Sequence, residues 1–243
     1  RLSHSFLFVG PPQVGKSTTA IALAQALNCS EDSPDMRCGH CNQCGRISSG
    51  LHADVQIITP NDWDTGTVVG IDRIRELQRN AYLMPYEGKC KVYIFREADQ
   101  MTPDAANSLL KILEEPPDSV VFLLLTSRPE NLISTIISRS QRIDFTPVSV
   151  DAITLKLQEI DNLSPTRARE IARYSHGRVG WAIQAATNPD ILAAYIASIE
   201  EITDIIEGGT DTRLAFSERF GASFYSNRDA SISHLNNIAQ WWR

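Results

Sequence analysis

Short apolar runs alternate with stretches of helical spacing along the first part of this chain. Phe6–Val9 is an apolar run that ends at a glycine, and an Ala/Leu-rich stretch from Lys16 to Leu27 follows. Together they predict a strand, a loop and a helix. Val55–Ile58 predicts a second strand. Ile71, Ile74, Leu77 and Ala81 keep helical spacing while Arg73, Arg75 and Arg79 fall on other faces, which predicts an amphipathic helix. Val92–Phe95 is a third strand, four apolar residues in a row, as expected of a sheet covered on both faces. Thr102-Pro103-Asp104 supplies a hydroxyl N-cap, a proline at the first helical position and then an acid. The helix it opens runs to about Glu114 and is stopped by Pro116-Pro117. Val120–Thr126 and Arg142–Phe145 predict a fourth and a fifth strand. Strands and helices in this alternation predict an α/β fold with a mostly parallel, doubly wound sheet.

From Ser149 the texture changes. Strand signals stop, and helical segments follow one another at Val150–Ile160, Pro165–Tyr174 and Val179–Ala186. A domain boundary is expected near Pro147. Another helical stretch begins after Pro189, with a break expected at Gly208-Gly209.

Composition narrows the function. With 243 residues, 42% hydrophobic and 21% charged, the chain is long enough and apolar enough to bury a full α/β core. The longest apolar run, Val120–Leu125, is far too short to cross a bilayer, so no membrane association is expected. No basic segment followed by an apolar one opens the chain, so nothing argues for secretion, and a cytoplasmic location is expected. The first residue is Arg1 and not Met, so a natural start upstream is expected. A net charge of -6 disfavours a protein that grips DNA alone, because phosphate neutralisation dominates such binding. Any nucleic-acid contact is then local or shared with partners.

Gly10-Pro11-Pro12-Gln13-Val14-Gly15-Lys16-Ser17 matches G-x-x-x-x-G-K-[ST] in full. In such a loop the backbone N–H groups wrap phosphates, and glycines let the chain approach them closely. Lys16 would reach the β- and γ-phosphates and the Ser17 hydroxyl would ligate Mg²⁺. The same letters can form a Gly-Pro turn with no ligand. Their place after a strand and at the start of a helix favours ATP or ADP. Gly10, Gly15, Lys16, Ser17 and the adjoining Thr18 are the candidate nucleotide-binding residues. Hydrolysis is a separate question. Arg96, a cation, stands after the third strand where a metal-associated acid is usual, and Glu97 occupies the place of a water-orienting acid. Glu97 reads equally as an exposed loop charge.

Of five cysteines, Cys29, Cys38, Cys41 and Cys44 form C-x8-C-x2-C-x2-C, and Cys90 stands apart. The odd count and tight clustering suit a reduced compartment and a metal better than a disulfide framework. Four thiolates close a tetrahedral Zn²⁺ site with no open position, so structural zinc is expected. A redox pair would not need four cysteines, and haem attachment fails because Gly45 and not His follows Cys44. His40 could replace one sulfur or be an exposed loop residue.

These motifs together resemble the AAA+ subunits of the bacterial DNA polymerase III clamp loader, over residues 1 to about 190. The likeness is carried by Arg1-Leu2-Ser3-His4-Ser5-Phe6-Leu7-Phe8 before the P-loop and by the position of the cysteine insertion. Ala105-Ala106-Asn107-Ser108-Leu109-Leu110-Lys111, Leu113-Glu114-Glu115-Pro116-Pro117 and Thr135-Ile136-Ile137-Ser138-Arg139-Ser140 extend it. The last run resembles the family's Ser-Arg-Cys element, with Ser140 replacing cysteine.

The resemblance implies an AAA+ nucleotide-binding domain over residues 1–147 with its zinc module at 28–45, and a helical lid over 148–188. Residues 189–243 would then begin a helical oligomerisation domain. It places Thr126 at the polar sensor position and makes Arg139 an arginine finger that reaches ATP on a neighbouring subunit; the alternative is a surface arginine at a helix end. The family divides into gamma/tau motor subunits and a non-motor partner. Arg96, and Gly180 where the motors carry a sensing arginine, point to the non-motor branch. Partners would be gamma/tau and delta subunits in a hetero-oligomer, with the sliding clamp and primed DNA met through the complex. Rival readings are a working clamp-loader ATPase dependent on Lys16 and Glu97, a stand-alone P-loop kinase, and a zinc-dependent DNA-binding module.

Overall fold

The computed structural model describes residues 3–31, 37–60, 70–161 and 163–241. Arg1 and Leu2 of the segment before the P-loop and residues 32–36 of the cysteine insertion lie outside the described residues. The chain divides into two compact units. The first holds the residues up to Val148 together with Gly177–Val179, and the second holds Ser149–His176 and the residues from Gly180.

The first unit is built on five parallel strands: β1 (Ser5–Val9), β2 (Val55–Ile58), β3 (Lys91–Phe95), β4 (Val120–Thr126) and β5 (Gln141–Asp144). Their order across the sheet is β2-β3-β4-β1-β5. β1, β3 and β4 are buried at every position, because helices cover both faces. Strand alternation sorts their side chains. Phe6, Phe8, Val92, Ile94, Val121, Leu123 and Leu125 pack with Ala20 and Ala24 of α1 (Lys16–Asn28) and Ile47 of α2 (Asn42–Ser48). Leu7, Val9, Tyr93, Phe95, Phe122 and Leu124 pack on the other face, against α3 (Ile71–Ala81), α4 (Pro103–Glu114) and α5 (Ser134–Arg139). α4 begins as its sequence dictates, with the Thr102 hydroxyl accepting from the Ala105 N–H at 3.2 Å and proline in the first turn.

Two short helices carry no periodic signal in the sequence. α2 is capped by the Cys41 thiol, which accepts from the Cys44 N–H at 3.4 Å. Sulfur is outside the Ser/Thr/Asp/Asn set that marks a cap. α5 has six residues and no side-chain cap. β5 begins one residue earlier than the apolar pattern suggests, and Phe145 still donates its N–H to the Val9 carbonyl at 2.7 Å.

The second unit is helical: α6 (Val150–Asp161), α7 (Pro165–Tyr174), α8 (Val179–Thr187, from its second residue), α9 (Pro189–Glu207), α10 (Thr210–Ser226) and α11 (Arg228–Trp241). Gly208 and Gly209 separate α9 from α10. Ile153, Leu157, Ile171, Trp181, Leu192 and Tyr195 are buried, and the Trp181 and Tyr195 rings meet edge to face at 5.3 Å. No helix among the described residues is long and apolar enough to cross a membrane.

Candidate functional site

The carboxyl ends of β1, β4 and β5 are tied together by backbone bonds. Gly10 donates its N–H to the Thr126 carbonyl at 3.2 Å, and Phe145 donates to Val9. Ligands of open parallel sheets sit at such ends. Here the P-loop leaves β1 and turns into α1. Gly10 must lack a Cβ, because one would press on the Phe145 carbonyl oxygen and fall 2.8 Å from the Phe145 Cβ. Gly15 caps α1 with φ +105°, a conformation that L side chains rarely adopt. No side chain caps α1 and no acid stands in its first turn, an arrangement that suits an anion at its leading N–H groups.

Lys16 is buried, and its ammonium spans the loop, donating to the Gly10 carbonyl at 2.5 Å and the Pro11 carbonyl at 2.7 Å. Burial lowers the Lys16 pKa, and the charge of Asp99 opposes that fall. Ser17 is half-buried and Thr18 exposed. Thr126 is buried at the end of β4 and donates its hydroxyl to Asp99 Oδ1 at 2.7 Å. The Thr126 hydroxyl oxygen in turn accepts from the Arg128 N–H at 2.9 Å, and Arg128 Nε faces Asp99 Oδ2 at 3.4 Å.

Arg96 and Glu97 follow β3 and are exposed. The acid that turns inward is Asp99, with only 4% of its side chain exposed. A 3-10 turn at Ala98–Gln100 rotates it toward Thr126. Sequence reasoning passed over both Asp99 and Arg128. Their only signal was proximity in sequence to Glu97 and Thr126.

Arg139 lies elsewhere. It ends α5, pairs with Glu114 Oε1 at 2.6 Å, donates to the Thr135 carbonyl at 3.1 Å, and is 35% exposed. The next strand starts with Gln141 beside Phe6, so Arg139 stands at the amino end of the sheet and the P-loop at the carboxyl end. Four residues of β1 separate those levels, roughly 13 Å at strand rise. Gly180 lies within α8, and the buried Arg178 just precedes that helix.

The cysteine cluster occupies the far end of α1. Cys29 caps the helix, Cys41 caps α2 and Cys44 lies within it. All four sulfurs lie within 4.8 Å of one another. Cys29 Sγ is 3.6 Å from Cys38 Sγ and 3.9 Å from Cys41 Sγ. A tetrahedral site with bonds of about 2.3 Å has sulfur–sulfur edges of about 3.8 Å. The donor set therefore suits a metal such as zinc.

Backbone N–H groups of Cys38, Cys41 and Cys44 point at the sulfurs of Cys29, Cys38 and Cys41. Cys29 is pulled below the ordinary thiol range, first by the Cys38 N–H. Burial pushes Cys44 up to about 12. Thiols so crowded cannot all ionise alone, and a divalent cation relieves that repulsion. His40 stays exposed, 3.7 Å from Glu31.

The cluster rests on a polar clamp that the sequence did not reveal. Asp54 accepts the N–H groups of Tyr86, Glu87 and Gly88, each at 2.8 Å. Asn28, the last residue of α1, accepts those of Lys89 and Cys90 at 2.8 and 3.0 Å. Burial would raise the Asp54 pKa, and the three N–H groups outweigh burial and hold it below the usual carboxylate value. The Lys89 ammonium reaches the Cys29 carbonyl at 2.5 Å.

Residues 1–149 match the family model described as DNA polymerase III, delta subunit. The chain belongs to that family. It is 38% identical over 206 residues to the DNA polymerase III subunit delta' of Bacillus subtilis (strain 168), covering 85% of this chain and 60% of the relative. It is 35% identical over 170 residues to subunit tau of the same organism, covering 70% of this chain and 29% of tau. The chain thus spans less than two thirds of these polymerase III relatives. Among solved structures it is similar to the RuvB Holliday junction branch migration motor of Thermotoga maritima, with a TM-score of 0.51 and 17% identity over 89% of this chain and 62% of RuvB. That likeness concerns the fold alone. The delta-subunit family member is thus an α/β protein of the P-loop AAA+ type, with a cysteine cluster inserted after α1 and helices following the sheet.

Proposed function

We propose that this chain is a non-motor, delta-prime-like subunit of a bacterial clamp loader, acting in the cytoplasm as a stator for loading a sliding clamp on primed DNA. The observation that carries this reading is the position of Arg139, at the opposite end of β1 from the chain's own P-loop. A guanidinium placed there does not serve its own nucleotide. It suits the phosphate charge on an adjacent gamma/tau subunit, which it would neutralise in the transition state. Glu114 holds it meanwhile in a half-exposed ion pair that a stronger anion can displace.

The P-loop residues Gly10, Gly15, Lys16, Ser17 and Thr18, with Thr126 beside them, would hold ATP or ADP without efficient turnover. Arg96 follows β3 where an acid is needed, and Glu97 is exposed. Cys29, Cys38, Cys41 and Cys44 would bind structural Zn²⁺. Residues 148–188 would serve as the lid, and 189–243 as the start of the domain that joins the gamma/tau and delta partners.

The test is the ATPase rate of the reconstituted assembly of this chain with gamma/tau, delta, clamp and primed DNA. Arg139→Ala should slow turnover by roughly a hundredfold or more, whereas Lys16→Ala should change it little. If Lys16→Ala is the damaging change, the chain is instead a working ATPase of the gamma/tau kind, a reading its complete P-loop favours.

A further inference from the structure

A P-loop ordinarily shares the charge of its nucleotide with Mg²⁺, held by the loop hydroxyl and an acid at the end of a neighbouring strand. The donors at this end of the sheet do not fit that ion. Ser17 supplies a hydroxyl, yet the residue directly after β3 is Arg96 and the next acid, Glu97, is exposed. Asp99 is the buried carboxylate, and both of its oxygens are engaged, one by the Thr126 hydroxyl and the other by Arg128. A buried carboxylate needs a cation beside it. Arg128 and the nearby Lys16 meet that need from within the protein. Around Asp99 two cations, Lys16 and Arg128, thus face one buried carboxylate before any ligand arrives.

We infer that this site holds nucleotide phosphates without a divalent cation, with Arg128 supplying the positive charge and Arg96 disfavouring the metal. The inference rests on the nucleotide reading above and specifies the form of ligand taken: free ADP or ATP in place of its magnesium complex. Arg128 is suited to the role because it is 57% exposed, two residues beyond Thr126, whose carbonyl is bonded to Gly10. A guanidinium so placed can leave Asp99 in part and meet a phosphate with two parallel N–H donors.

The test is calorimetric titration of the zinc-loaded full chain with ADP and with ATP, in magnesium-depleted buffer and again with magnesium. Depletion uses a resin and not a soluble chelator, and zinc content is checked afterwards, because a chelator would attack the thiolate cluster. Dissociation constants within about threefold of each other in the two buffers are expected, along with a loss of about tenfold in metal-free affinity for Arg128→Ala. Arg96→Asp should make binding magnesium-dependent. Binding more than about tenfold tighter with magnesium overturns the inference and leaves the nucleotide reading standing. Unchanged metal-free affinity in Arg128→Ala overturns the role given to that residue. Absence of binding in both buffers overturns the nucleotide reading and this inference with it.

Discussion

The two ends of α1 are built by opposite means. At its amino end the work is done by backbone: a glycine with no room for a Cβ, a second glycine at positive φ, and N–H groups that no side chain caps. At its carboxyl end, about 20 Å away by helical rise, the work is done by side chains. Four thiols converge there, and Asn28 and Asp54 between them take five successive backbone N–H groups from Tyr86 to Cys90. One end suits an anion by what has been removed, and the other suits a cation by what has been added. The first should therefore fail through added atoms and the second through lost ones.

The largest effect is expected at the carboxyl end. Cys44→Ser should take zinc from about one ion per chain toward none and lower the melting temperature by roughly 10 °C or more. Metal analysis beside a thermal melt decides this, and full zinc content with an unchanged melt would remove the metal from the account. Next comes the amino end. Gly10→Ala forces a methyl against Phe145 and should cost about 2–3 kcal/mol in urea unfolding without nucleotide; a neutral result would mean that the loop relaxes freely.

Asp54→Asn sharpens the comparison through pH. Its folded pKa is depressed, so its stabilisation is complete above the unfolded carboxylate value near 4 and is lost as pH falls through the folded value. At pH 7 the variant should be less stable by about 1–3 kcal/mol, and the gap should close in acid. A gap independent of pH would assign the loss to packing. The smallest effect is expected for Lys89→Met, which removes a cation from the carbonyl end of the helix at about 0.3–1 kcal/mol, measurable by the same unfolding curves in low salt.

The asymmetry between the two ends also explains what the sequence disclosed. β1, β3 and β4 were legible because burial on both faces makes each an unbroken apolar run, and α4 because Thr102-Pro103 marks its start. The P-loop was legible because its geometry is local, eight consecutive residues with glycines at fixed places. The clamp around Asp54 was not, since its partners lie 32–34 residues away, and those of Asn28 lie 61–62 away. No local pattern encodes such distances. Near the P-loop the sequence offered Glu97 and Asp99 as acids two residues apart. The 3-10 turn that sends Asp99 inward and leaves Glu97 outside has no distinctive sequence of its own. The level of Arg139 on the sheet likewise follows from strand pairing, which only the register between Phe6 and Gln141 defines.

β5 is an edge strand exposed along its whole length. Its Arg142 and Asp144 side chains, two residues apart and so on one face, meet at 2.8 Å. An open row of unpaired peptide groups invites strand addition by another chain, and charge is one of the few features that discourages it. Only Ile143 among its four residues is apolar, and Ile143 is 37% exposed. The strand is thereby too short and too polar to seed a cross-β stack. Among the described residues, brevity and charge on this edge thus both work against pairing with a second copy of the chain.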